Sequence, residues 1–324
     1  MGRDERMTFT SSRFCDSCQR YASRCRTCTS WSRSSTLGLA PDGHPGTRYR
    51  RGVTLPNERT VRRHTFDEAA ERYDRIRPGY PRGAFDEIER FAGLGPGSRV
   101  LEIGCGTGQA TVELARRGYH VVAVELGPSL AVVARRNLGP YPDVEIVTAD
   151  FERWHLPPDP FDAVVSATAF HWLDPEIRLI KSAEALRSGG ALAVIDTDHI
   201  AGGSERFFAA VQDCYEQWDR ATEPGLRLTP ADEIDSNVDE LQSLGLFAAV
   251  EVHRFERDLE YSTSDYIDLL LTYSGHLALE TAARDGLLDC VRALIDDDNG
   301  GRIAKRYLTT VRLARRPAED REAS

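Results

Sequence analysis

The chain has 324 residues, with 51 acidic against 41 basic side chains and a net charge of −10. Its length is enough for a full α/β core, and 41% of its residues are hydrophobic. No run approaches 18 consecutive apolar residues, which excludes a transmembrane helix, and the N-terminus lacks the apolar core of a signal peptide, so a cytoplasmic location is expected.

The charge is unevenly spread. Residues 1–56 carry ten Arg and four acids, a net +6, which leaves −16 on the remainder. This first segment is rich in Ser, Arg and Thr and has no sustained helical or strand period. It reads as a disordered or non-native N-terminal extension, because such a composition buries too little apolar surface to offset ordering entropy. It contains Cys15-x2-Cys18-x6-Cys25-x2-Cys28. Two such pairs suit tetrahedral zinc, but the six-residue gap is short for a zinc ribbon, and no metal is expected. Lys181 and Lys305 are the only lysines, a bias typical of a GC-rich gene where upstream frames stay open. A natural start at Val53 or Leu55 is one expectation from this.

Residues 57–324 form the expected catalytic domain. Thr65-x-x-Glu68 fits a capping box, followed by Phe66, Ala69, Tyr73 and Ile76 at helical spacing. Arg77-Pro78-Gly79-Tyr80-Pro81 breaks that helix, and a second runs over 82–92. A strand at 99–103 leads into Gly104-Cys-Gly-Thr-Gly108 and a helix to 117. A strand follows at 119–125, then a helix at 128–138 opened by Pro128, then strands at 144–148 and 161–166. Asp174-Pro175 starts a helix expected to end at Gly189-Gly190, and 191–196 is a fifth strand. Beyond it the spacing predicts helices at 204–220, 233–245, 263–273 and 278–297, and strands at 247–259 and 302–314. Alternating strands and helices of this kind imply an α/β fold: a Rossmann-like, mostly parallel seven-stranded sheet with helices on both faces. The late helices, near 200–245 and 262–298, are expected to form lid insertions over the mouth of the sheet.

The chemistry gathers at the ends of the parallel strands, where open α/β sheets bind ligands. Gly104, Gly106 and Gly108 let a ligand approach the backbone. Glu102 just before the loop would repel a pyrophosphate but suits a ligand with an amino group. Glu125 ends the second strand, where a carboxylate can take both hydroxyls of a ribose. Asp150 can accept from an exocyclic amine, and Phe151 can pack beside a purine. Ser166-Ala-Thr-Ala-Phe-His-Trp172 follows the fourth strand.

Over about 65–314 these residues resemble the class I S-adenosylmethionine-dependent methyltransferase family. Tyr73-Asp-Arg-Ile-Arg-Pro-Gly-Tyr-Pro81, Ala169-Phe-His-Trp-Leu-Asp174 and the Leu186-Arg-Ser-Gly-Gly190 turn are similar to its small-molecule branch of trans-aconitate methyltransferase-like proteins. The resemblance implies S-adenosylmethionine as cofactor. Gly104, Gly106 and Gly108 would bound its methionyl part, Glu102 its amino group, Glu125 the ribose, and Asp150 and Phe151 the adenine. Ser166 and Ala167 would line the floor near the sulfonium, with Tyr73 and Arg77 closing over the site. Cys105 reads as a small residue tolerated in the loop.

The expected reaction is in-line transfer of a methyl group to a small-molecule carboxylate or hydroxyl. A carboxylate needs no general base. A hydroxyl would benefit from one, and His171 is the catalytic candidate, set against a simple packing role. Arg75 or Arg77 could bind an acidic acceptor. Three alternatives stand beside this. An RNA methyltransferase with an N-terminal zinc module is opposed by the −16 body, since phosphate binding wants a basic face. An NAD-dependent oxidoreductase is opposed by the GxGxG spacing. A non-catalytic cofactor-binding protein is the third.

Overall fold

The computed structural model describes residues 69–318. The capping box at Thr65 and Glu68 and the cysteine cluster lie outside the described residues. Two helices come first, α1 (Ala70–Ile76) and α2 (Arg82–Ala92). Then β1 (Arg99–Ile103), α3 (Gln109–Arg116), β2 (His120–Glu125), α4 (Pro128–Leu138) and β3 (Val144–Thr148) alternate. They are followed by β4 (Phe161–Ala167), α5 (Pro175–Ala185) and β5 (Leu186–His199). The C-terminal part comprises α6 (Glu205–Trp218), α7 (Val238–Gln242), β6 (Ala248–Ser262), α8 (Thr263–Leu270), α9 (Ser274–Leu277), α10 (Thr281–Asp298) and β7 (Arg302–Arg315).

The seven strands form one sheet in the order β3-β2-β1-β4-β5-β7-β6. The first five are parallel, and β7 runs antiparallel to both β5 and β6. The expected mostly parallel sheet is therefore present. Its strand order reverses at β1, which places the glycine loop at the topological switch point.

Strand residues alternate between two cores. Val100, Val121, Ala163 and Ile195 pack with Phe85, Ile88 and Leu114 from the helices of one face. Leu101, Ile103, Val164 and Leu192 pack with Phe151, Leu179 and Ala183 on the other. A third core joins the late helices to the outer strands through Phe207, Tyr215, Tyr266, Leu287 and Ile303.

Two of the departures from the sequence reading have a clear physical reason. The helix opened by Asp174 stops at Ala185 rather than at the glycine pair, and Leu186 already pairs with Phe161. Register shifts between Phe161 and Ala163, so the glycine pair sits in an irregular stretch of strand instead of closing a helix. The expected helix at 233–245 is reduced to a 3-10 turn at Ala231–Glu233 and a five-residue α7. Buried Arg312 explains part of this: it bonds the Asn237 carbonyl and the Asp196 and Glu240 carboxylates, so the segment is organised by polar contacts to β7. A disulfide between Cys214 of α6 and Cys290 of α10 ties the late helices together.

Candidate active site

Glu102, Glu125, Asp150 and Ser166 stand at or close to the carboxyl ends of the parallel strands β1 to β4, and the glycine loop follows β1. Gly104, Gly106 and Gly108 have φ of +71°, +59° and +99°, a region that side chains rarely adopt. A Cβ at Gly104 would also lie 2.5 Å from the Ala169 Cβ, so the loop and the segment after β4 are in direct contact. Gly104 N donates to the Val124 carbonyl at 2.8 Å, which hangs the loop from β2.

Glu125 ends β2 and is buried. Its Oε2 accepts from Gly106 N and its Oε1 from Gly127 N, both at 2.8 Å. The carboxylate therefore shapes the loop as well as standing at the expected ribose position. Glu102 lies beneath the loop on β1 and is 1% exposed. Its Oε2 has no hydrogen-bond partner. Burial pushes its carboxyl up to about 7, opposed by the neighbouring Thr111 hydroxyl and reinforced by repulsion from Glu125.

Asp150 follows β3 and caps its own turn, accepting from Glu152 N at 3.1 Å. Phe151 is 2% exposed inside the second core, with the Lys181 ammonium 5.2 Å from its ring centre. It is a core residue in this conformation and offers no open face. Ser166 is likewise fully buried and donates to the Ile103 carbonyl at 3.1 Å, joining β4 to β1, and Ala167 beside it is 8% exposed.

Tyr73 reaches the loop: a Cβ at Gly106 would lie 3.7 Å from its Cε1. It is held there because α1 is anchored to α4. Arg136 pairs with Glu71, and Asn137 donates to both Asp74 and the Thr107 carbonyl. Arg77 is held by the segment between α8 and α9. Its guanidinium donates to Thr272 Oγ1 at 2.8 Å and the Thr272 carbonyl at 2.9 Å, and stacks between the Tyr73 and Tyr273 rings. Arg75, the other candidate for an acidic ligand, pairs with Asp268 at 2.6 Å.

His171 lies in a 3-10 turn, Phe170–Trp172, just after β4. Its Nδ1 is 4.0 Å from Asp196 Oδ1 on β5, and its ring packs against Trp172. Cys105 is buried and its thiol is pushed well up by burial, which suits an inert residue. Sequence reasoning gave no role to Thr168 or Tyr80. Thr168 has a φ of +54°, unusual for a β-branched residue, and its hydroxyl accepts from Tyr80 Oη at 3.1 Å. Tyr80 belongs to the Arg-Pro-Gly-Tyr-Pro turn, the one sequence signal that pointed to it. Among the described residues no group of His, Cys, Asp and Glu could hold a metal ion. No helix among them is long and apolar enough to cross a membrane.

The chain is similar to known proteins over part of its length. Residues 100–190 match the family model of a methyltransferase domain. An uncharacterized methyltransferase of Mycobacterium tuberculosis is 37% identical over 131 residues, 40% of this chain and 51% of that protein. One from a Geobacillus species is 34% identical over 141 residues, 41% and 65% of the two chains. The solved structure of a protein from Anaeromyxobacter dehalogenans, assigned as a type II methyltransferase, shares the fold. Its TM-score is 0.55 at 22% identity, over 75% of this chain and 99% of that one. Residues 100–190 thus resemble a methyltransferase domain, and the sheet that contains them shares its fold with a solved structure of that description. The chain spans about half the length of the first curated relatives it matches.

Proposed function

We propose that this protein is an S-adenosylmethionine-dependent methyltransferase acting on a small-molecule carboxylate or hydroxyl. The observation that carries the reading is Glu102. A buried carboxyl with an unpartnered oxygen, two residues before a glycine loop, would be compensated by a ligand ammonium such as that of a methionyl group. The three glycines leave room for that group against the backbone, and Glu125 at the second strand end is chemically matched to a ribose. Asp150 would serve the adenine amine, with Phe151 supporting that wall from within the core.

The cofactor supplies a methyl group on a sulfonium, already activated and carrying a good leaving group. The chain has then to align the acceptor and exclude water. Tyr73, Arg77 and the segment after β4 would do the first, with Ser166 and Ala167 behind it. The helices inserted at 200–245 and 262–298 would do the second. For a hydroxyl acceptor His171 would take the proton, oriented by Asp196. Residues 57–324 would make up this unit.

Calorimetry with S-adenosylmethionine, S-adenosylhomocysteine and NAD tests the reading. Binding of the two sulfur nucleosides and not of NAD is expected. Absence of binding by either nucleoside at saturating concentration would sink it.

A further inference from the structure

A cluster of polar groups where the late helices meet β7 is left unused by the cofactor reading. Lys305 lies on β7 and is 2% exposed. Its Nζ donates to Tyr273 Oη at 2.9 Å and lies 5.1 and 4.9 Å from the Tyr273 and Tyr307 ring centres. The Arg77 guanidinium is 4.4 Å from the same Tyr273 ring. Among the described residues neither cation has a carboxylate within ion-pair reach, whereas Arg72 and Arg75, on the same helix, share Asp268. Tyr261 and Tyr307 join hydroxyls at 3.0 Å beside them. His199 at the end of β5 has both ring nitrogens buried without a partner. Its ring meets Phe208 edge-on and lies tilted beside Tyr307.

Two neighbouring cations without a counterion are costly to keep in a largely buried setting. The surroundings register that cost. Burial lowers the Lys305 ammonium from its usual value, and burial together with the Lys305 charge holds His199 neutral. Although burial opposes it, the charges of Lys305 and Arg77 bring the Tyr273 phenol below its ordinary range. Every one of these shifts would be relieved by a negative charge placed among them. The cluster also adjoins the cofactor loop: Arg77 stacks on Tyr73, and Tyr73 covers Gly106.

We infer that Lys305, with Arg77 and the Tyr273 hydroxyl, binds an anionic group of the methyl acceptor, a carboxylate or a phosphate. The inference rests on reading the protein as a methyltransferase only for the word acceptor; the anion site itself is tested separately. Lys305 contributes the charge, Tyr273 and His199 contribute hydrogen bonds, and Arg77 links the bound group to the cofactor side.

The test uses the full chain and its Lys305→Met variant, each titrated by calorimetry with acetate, benzoate and inorganic phosphate. Acetamide and benzamide are the uncharged controls, and every titration is run with and without S-adenosylhomocysteine. At least one anion is expected to bind the parent protein. Lys305→Met should weaken it about tenfold or more, the loss of a charge-assisted bond, with affinity for S-adenosylhomocysteine kept within about twofold. The amides should be indifferent to the substitution. Preference for the carboxylates over phosphate, or the reverse, assigns the anion. No anion binding, or equal anion affinity in both proteins, overturns the inference, including the case in which Lys305→Met only shifts the melting temperature. If Lys305→Met does not fold, Tyr273→Phe is titrated with the same anions, a loss of affinity supporting the site and unchanged affinity overturning it. Failure of S-adenosylhomocysteine to bind, with anion binding intact, would instead defeat the methyltransferase reading.

Discussion

Glu125 Oε2 accepts the amide hydrogen of Gly106 at 2.8 Å, so one carboxylate both shapes the glycine loop and stands where a ribose would be held. The same side chain also holds Gly127 at the start of α4. Shortening it therefore removes two backbone contacts along with the proposed ligand contact.

Glu125→Ala should weaken S-adenosylhomocysteine binding by about 1–3 kcal/mol, the range for hydrogen bonds to a charged group. Glu125→Gln keeps one acceptor oxygen and should lose less. Calorimetry on both variants checks the order, and an unchanged affinity in Glu125→Ala would remove the ribose assignment.

Glu102 should make cofactor binding and stability respond to pH in opposite directions. Its folded carboxyl titrates near 7, above the ordinary value of 4.5, chiefly through burial. The folded chain then binds more protons than the unfolded chain between those two values. This contribution is fully present below about pH 4.5 and is lost as pH rises to about 7. Above that, Glu102→Gln should be more stable than the parent without ligand, by an amount on the order of 3 kcal/mol. A ligand ammonium favours the ionised form, so parent affinity should rise with pH up to about 7, and Glu102→Gln should bind weakly throughout. Urea melts at pH 5 and pH 8, with calorimetry at each pH, measure both effects.

Gly104→Ala should cost more than an ordinary glycine replacement. The position has a φ of +71°, and the new methyl would stand 2.5 Å from Ala169 Cβ. Relief requires the loop or the segment after β4 to move. A loss of about 1–3 kcal/mol in stability is expected, together with loss of S-adenosylhomocysteine binding. Thermal melts with and without the nucleoside read both.

The Cys214–Cys290 bond closes a chain separation of 76 residues between α6 and α10. The Cys214→Ala/Cys290→Ala double variant, or the reduced protein, should lose about 2–4 kcal/mol. Urea unfolding with and without a reductant measures it. Because both cysteines belong to the late helices, hydrogen exchange should rise there before it rises in the parallel strands.

Much of the site was legible from the chain alone because its signals are local. The glycine loop, Glu102, Glu125 and Asp150 sit at strand ends, and a strand end is visible where an apolar run meets glycine or an acid. The helix caps at Asp174 and Pro128 are local for the same reason. The end of α5 is not legible in the chain, because glycine pairs usually close helices, whereas here pairing with β4 takes over from Leu186 onward.

The sequence by itself determined the alternation of strands and helices, the parallel sheet and the residues beneath the glycine loop, since these follow from periodicity and turn chemistry over a few neighbours. Only the tertiary structure decided which groups meet across long separations. It drew Arg77 to Thr272 and Tyr273, seated Lys305 against Tyr273, joined Cys214 to Cys290, and buried Phe151. Burial and ion pairing depend on what the rest of the chain brings to a residue, and no local spacing records that.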